Sequence, residues 1–138
     1  MEKIYSNVEP DVLLAIIARF KDCYMPRNEI VPPEELLQGA LIRVSKGDRF
    51  RPHKHNEKEV NYGKAITSEC WIVFRGCIEA IIYDLDDKIA IMRILGEGDA
   101  CFSFRGGHTF ETLEDGTCVW EIKTGPYEGQ AKDKTFIE

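Results

Sequence analysis

From about residue 37 onward, turn residues cut the chain into short pieces. Gly47-Asp48, Gly76, Asp86-Asp87, Gly96-Glu97-Gly98, Gly106-Gly107 and Asp115-Gly116 are the punctuation. The runs between them are too short for stable helices and are rich in β-branched and aromatic residues. Strands are therefore predicted near 38–45, 49–55, 69–75, 78–84, 88–95, 99–104, 108–113 and 117–123. Short strands separated by turns every 8–12 residues or so make a β-sandwich or barrel. The two halves of this region echo each other as glycine, strand, histidine, strand, the pseudo-repeat of a small double-sheet jelly roll.

The stretch Glu69–Arg75 is apolar on both faces, with Trp71 and Val73 on one and Cys70, Ile72 and Phe74 on the other. One face fills the interior, and the other needs cover from the N-terminal segment or a second subunit. Trp71 and Trp120 are assigned to core or interface, and a homodimer is expected.

The N-terminal third reads differently. Leu13, Ile16, Ile17 and Phe20 follow helical spacing, so an amphipathic helix is predicted over 11–22, with Pro10 in its first turn and Pro26 limiting its extension. Residues 1–36 are then an N-terminal helical segment packing on the barrel or on a partner subunit, and 37–138 a single barrel with a C-terminal extension. A chain of 138 residues is expected to form one domain.

The net charge of −6, without a basic run, argues against a nucleic-acid partner and against anionic membrane surfaces. The longest apolar run, Val12 to Ala18, falls far short of the roughly 20 residues that span a bilayer, and the mixed charges of the first ten residues are unlike a secretory start. A cytoplasmic location is the expectation. The five cysteines, 23, 70, 77, 101 and 118, form no C-x-x-C pair and read as reduced small hydrophobes.

Only three histidines occur in the chain: His53, His55 and His108. The first two form an H-x-H pair. In an extended strand, residues two apart share a face, so both imidazoles can share an ion. Neutral imidazoles and carboxylates are common ligands of divalent first-row metals. Three imidazoles and one carboxylate would leave two octahedral positions open for water, substrate or dioxygen. Fe, Mn, Ni, Co and Zn all suit such a set. A structural zinc more often takes cysteine ligands at close spacing, which this chain lacks.

The spacing of these residues resembles the cupin superfamily, whose first motif is G-x5-H-x-H-x3/4-E-x6-G. This chain supplies Gly47, five residues, His53-x-His55, then Glu69, six residues and Gly76. It departs in the gap before Glu69, which is thirteen residues, 56–68. Glu59 satisfies the short spacing but sits in a polar stretch. Glu69 is preferred because a strand positions a ligand more rigidly, and the choice stays open. The second motif, G-x5-P-x-G-x2-H-x3-N, is echoed by Gly98, Phe104 in place of the proline, Gly106-Gly107-His108 and Thr112, with a loop one residue short.

Within cupins the chain is similar to the small WbuC-type metalloproteins through Arg51-Pro52-His53-x-His55, Tyr83-Asp84 and Glu121-Ile122-Lys123-Thr124-Gly125-Pro126-Tyr127. The resemblance spans about residues 38–125. It implies a double-stranded β-helix that binds one divalent transition metal through His53, His55, Glu69 and His108. It further implies action on a small molecule, of the kind handled in surface-polysaccharide metabolism.

Other candidates follow from position. Arg51 is expected on the face of His53, where its fork suits an anionic group or a rim ion pair. Glu121 and Lys123 share a strand face as an acid–base pair or a salt bridge. Tyr83 and Tyr127 line the cavity or pack. Isomerase or epimerase chemistry with Glu121 or a bound water moving the proton leads. An Fe(II) dioxygenase and a non-catalytic small-molecule binder or sensor are the alternatives.

Overall fold

In a computed structural model, which describes residues 1–56, 63, 65–126 and 129–137, the protein is mostly β. Its strands are β1 (Glu2–Tyr5), β2 (Leu13–Ala18), β3 (Arg27–Glu29), β4 (Ala40–Ile42), β5 (Glu69–Arg75), β6 (Cys77–Tyr83), β7 (Ile89–Gly96), β8 (Ala100–Ser103), β9 (Gly107–Thr112) and β10 (Cys118–Lys123). One short helix, α1 (Gln130–Asp133), follows them.

The strands make three antiparallel sheets, a five-stranded one in the order β1-β2-β8-β5-β10, a three-stranded one in the order β7-β6-β9, and the β3–β4 pair. From β7 to β10 the chain alternates between the two larger sheets at every turn. Consecutive strands therefore face each other across the interior.

The predicted helix over 11–22 is absent. Leu13–Ala18 is a strand and only Phe20–Asp22 makes a single 3-10 turn. The physical reason is burial on both faces. Ala15 and Ile17 join the core between the two sheets, whereas Leu13, Ile16 and Ala18 join a second core on the outer side of the five-stranded sheet. A continuous apolar run cannot be distinguished from a helix face by periodicity alone, and tertiary burial decides it. β1 and β2 are integral to the sheet that contains β5, so the first 18 residues are part of the β architecture rather than an appendage.

The cover for the outer face is also internal. Cys23, Ile30, Val31, Leu37 and Leu41, from the segment that carries β3 and β4, pack over Cys70, Phe102 and Phe104. The strand predicted over 49–55 does not form either. That stretch has no regular structure and is exposed throughout, including Phe50. Its residues are mostly polar, so it has no apolar face to bury, and Pro52 lacks a ladder donor.

The inner core draws Ile4, Leu14, Trp71 and Val73 from the larger sheet and Ile78, Ile82 and Leu95 from the smaller. A polar latch ties the two together. Asp84, just past β6, is buried and accepts hydrogen bonds from the Ser6 hydroxyl and from the Asn7 and Leu85 backbone N–H groups. Burial pushes its carboxyl up, and these bonds more than offset that, holding it below the usual range. No helix among the described residues is long and apolar enough to cross a membrane.

Leu14 separates the strand from the predicted helix, because it is fully buried here but lies off the helix's apolar face. Leu14→Ala should cost about 2–5 kcal/mol in urea unfolding. A cost below about 0.5 kcal/mol, as for an exposed helix position, would contradict the strand.

Candidate functional site

One end of the interior is polar. Glu69, the first residue of β5, is the register partner of Ser103 on β8, and Trp71 is the partner of Cys101. With period-two alternation, Glu69 and Trp71 both face inward. From the opposite sheet, β9 places His108 opposite Ile82, itself a core residue, so the imidazole also points inward.

The four side chains form a chain of contacts. The Trp71 indole Nε1–H donates to Glu69 Oε1 at 2.6 Å. Glu69 Oε1 lies 3.5 Å from His108 Nε2, and His108 Nδ1 lies 3.0 Å from Ser103 Oγ. The Trp71 ring meets the His108 and Phe110 rings edge to face, with centroids 5.0 and 4.9 Å apart. The 3.5 Å separation is long for a hydrogen bond, so both atoms keep a lone pair or proton for a third partner.

Burial pushes the Glu69 carboxyl up, yet the His108 imidazole, the Trp71 N–H and the positive charge of Lys134 outweigh it and hold it below its ordinary value of 4.5. Cys70 and Cys101 sit near this carboxylate, and burial pushes both thiols up to about 12, helped at Cys70 by the charge of Glu69 and at Cys101 by Cys70 and then Glu69. They are packing residues, inert as nucleophiles.

Glu69, Trp71 and His108 wall a cleft of about 770 Å³. That volume suits a small molecule. Tyr83 and Phe110 line it from the smaller sheet, Glu121 from β10, and the segment Gln130–Ile137 from outside both sheets. Gly106 turns the chain into β9 at φ +69°, and a Cβ there would sit 2.2 Å from the Tyr83 carbonyl oxygen. Only glycine fits that approach without moving the backbone that aims His108.

Of the residues expected at the site, Glu69, His108, Tyr83 and Glu121 come together in the cleft. Lys123 does not line it. Its ammonium pairs with Asp133 Oδ2 at 3.1 Å and lies 4.0 Å from Glu121 Oε1. Arg51, His53 and His55 are exposed and lie outside the cleft wall. The two imidazoles of the H-x-H pair nonetheless stay together, edge to face at 5.3 Å between centroids. No group of three or more histidine, cysteine or acidic side chains placed to hold a metal occurs among the described residues. Glu59 and Tyr127 lie outside those residues.

Sequence reasoning missed Ser103, Asp133 and Lys134. Ser103 carries no motif signal, and Asp133 and Lys134 belong to a polar C-terminal stretch that reads as solvated surface. No family model, curated protein or solved structure matches this chain.

The lowered Glu69 carboxyl gives a pH signature. Its contribution to stability is present above the ordinary value of 4.5 and is lost as pH falls through the lower value it has in the folded protein. Urea midpoints of wild type and Glu69→Gln should therefore differ most near neutrality and converge in acid. A gap between them that does not change with pH would show that the carboxylate charge contributes nothing.

Proposed function

We propose that this chain is a cupin that binds one divalent transition metal at the Glu69–His108 end of its interior and acts there on a small, sugar-derived or carboxylated molecule. The observation that carries the reading is the pair itself. Two donors each about 2.1 Å from one ion stand roughly 3.0–3.4 Å apart, close to the separation of Glu69 Oε1 and His108 Nε2. Each is held from behind, Glu69 by Trp71 and His108 by Ser103, as the outer partners of metal ligands are.

The other two ligands of the reading are His53 and His55. His53 Nδ1 lies 2.9 Å from the Arg51 carbonyl oxygen, which can only accept. The neutral ring therefore keeps its Nε2 lone pair for a ligand. β9, the strand of His108, is an edge strand among the described residues and so offers a free edge to the stretch 49–55. The alternation of β7 to β10 between sheets supports the double-stranded β-helix.

When bound, the ion supplies Lewis-acid polarisation of a carbonyl or hydroxyl oxygen. Glu121 faces the cleft beside Trp71, its register partner, and stays half-exposed, where a carboxylate can take and return a proton. Trp71 and Phe110 close the inner wall against water. That division of labour is isomerase- or epimerase-like.

Metal titration tests the foundation. The wild type should take up about one equivalent of Co(II), Mn(II) or Zn(II). His108→Ala, Glu69→Ala and a His53→Ala/His55→Ala double variant should each lose at least about tenfold in affinity. Absence of uptake would sink the proposal, and an unaffected double variant would remove the H-x-H pair from it.

We also propose a homodimer through β10, the edge strand of the larger sheet. Trp120 and Ile122 point outward from it and are exposed, alongside Phe74 of β5. Sedimentation equilibrium should give a dimer that Trp120→Lys converts to monomer; a wild-type monomer at all concentrations refutes it.

A further inference from the structure

Most of the cleft wall is built on strands or on residues next to them, Ile66 and Thr67 before β5 and Gly106 before β9. The remaining wall is the C-terminal strap, residues 129–137, which belongs to neither sheet yet lines the cleft through Gln130, Asp133, Lys134, Thr135, Phe136 and Ile137. Its own structure is weak. α1 is a single turn with no side-chain cap and no buried residue. An isolated turn of that length does not persist in water.

Contacts from two parts of the strap tie it to the sheets, among the described residues. The first is a latch on Asp133, whose Oδ1 accepts from the Thr67 hydroxyl at 3.2 Å and whose Oδ2 pairs with the Lys123 ammonium at 3.1 Å. Both side chains of the ion pair are largely shielded from solvent, unlike most surface pairs. The second contact is apolar. Ile137 reaches over Gly107, where a Cβ would lie 2.3 Å from Ile137 Cδ1. Phe136, between latch and notch, remains mostly exposed and adds little burial.

The latch is the polar part of what keeps the wall in place. Lys123 comes from β10, two residues beyond Glu121, so the strap is fastened directly beside the Glu121 carboxylate of the cleft. When shut, the strap also brings the positive charge of Lys134 toward Glu69. Among the described lining residues, Lys134 is the only lysine or arginine.

We propose that the strap, residues 129–137, is a lid on the Glu69–His108 cleft, released by opening of the Thr67–Asp133–Lys123 latch while the sheets stay folded. Segments with few buried contacts open well below the cost of global unfolding. The lid presupposes that this cleft is the working site, but its opening is measured on metal-free, ligand-free protein, so its failure and the failure of metal binding are separate results.

The test is amide exchange at Lys132, Asp133 and Lys134, whose N–H groups donate to the Gly129 and Gln130 carbonyls within the strap. In the wild type these amides should exchange faster than those of β5 and β8. Asp133→Asn should speed them about tenfold further while β5 and β8 are unchanged. Trp71 fluorescence, read in a Trp120→Phe background, should become correspondingly more open to acrylamide. Strap amides as protected as β5, or unaffected by the variant, would overturn the lid. Faster strap exchange without a change at Trp71 would show that the segment does not gate the cleft. If Asp133→Asn fails to fold, Thr67→Val and the wild-type comparison decide the matter.

Discussion

The two-sided burial of Leu13–Ala18 is the constraint on which the rest of the structure depends. All six residues are shielded, with Leu14, Ala15 and Ile17 committed to the inner core and Leu13, Ile16 and Ala18 to the outer one. A strand so placed must have a neighbour on each edge, and β1 and β8 supply them. β8 is thereby clamped between β2 and β5, with Ser103 opposite both Ala15 and Glu69. Each fully buried leucine or isoleucine contributes about 1.5–3 kcal/mol, so the register of these strands is set by the strongest interactions in the molecule.

The polar end of the interior inherits that register. Glu69 is a nearly inaccessible carboxylate, which desolvation alone would neutralise. It remains ionised because Trp71, His108 and Lys134 each bring a donor or a positive charge to it. Three of the residues involved, Glu69, Trp71 and Ser103, come from the larger sheet, and His108 comes from the smaller. The crossings of the chain between sheets at 97–99, 104–106 and 113–117 are what bring them face to face. The same end of the fold is walled by a segment with almost no core of its own.

Most of the β region could be read from turns and patterning. Runs 69–75, 78–84 and 88–95 carry dense β-branched and apolar residues between glycine or aspartate turns, and each is a strand within a residue or so of its expected bounds. The two misreadings have distinct physical origins. In 11–22 the apolar residues satisfy helical and buried-strand patterns equally, and only the presence of sheets on both sides distinguishes them. In 49–55 the stretch that follows the Gly47-Asp48 turn has the length of a strand, yet it offers no apolar face to any layer of the fold.

By itself, the sequence determined that this is a β protein cut by glycine turns, and that its three histidines are few enough to be singled out. Those properties are local, since turn chemistry and side-chain alternation act over a handful of residues. Only the tertiary structure decided that Glu69 meets His108, that Ser103 and Trp71 hold them, and that a strap pinned by Asp133 lines the cleft. Those contacts join residues 39 and 66 positions apart, Glu69 to His108 and Thr67 to Asp133. No local pattern encodes such pairings; they follow from which strands share a sheet and which sheets share a core.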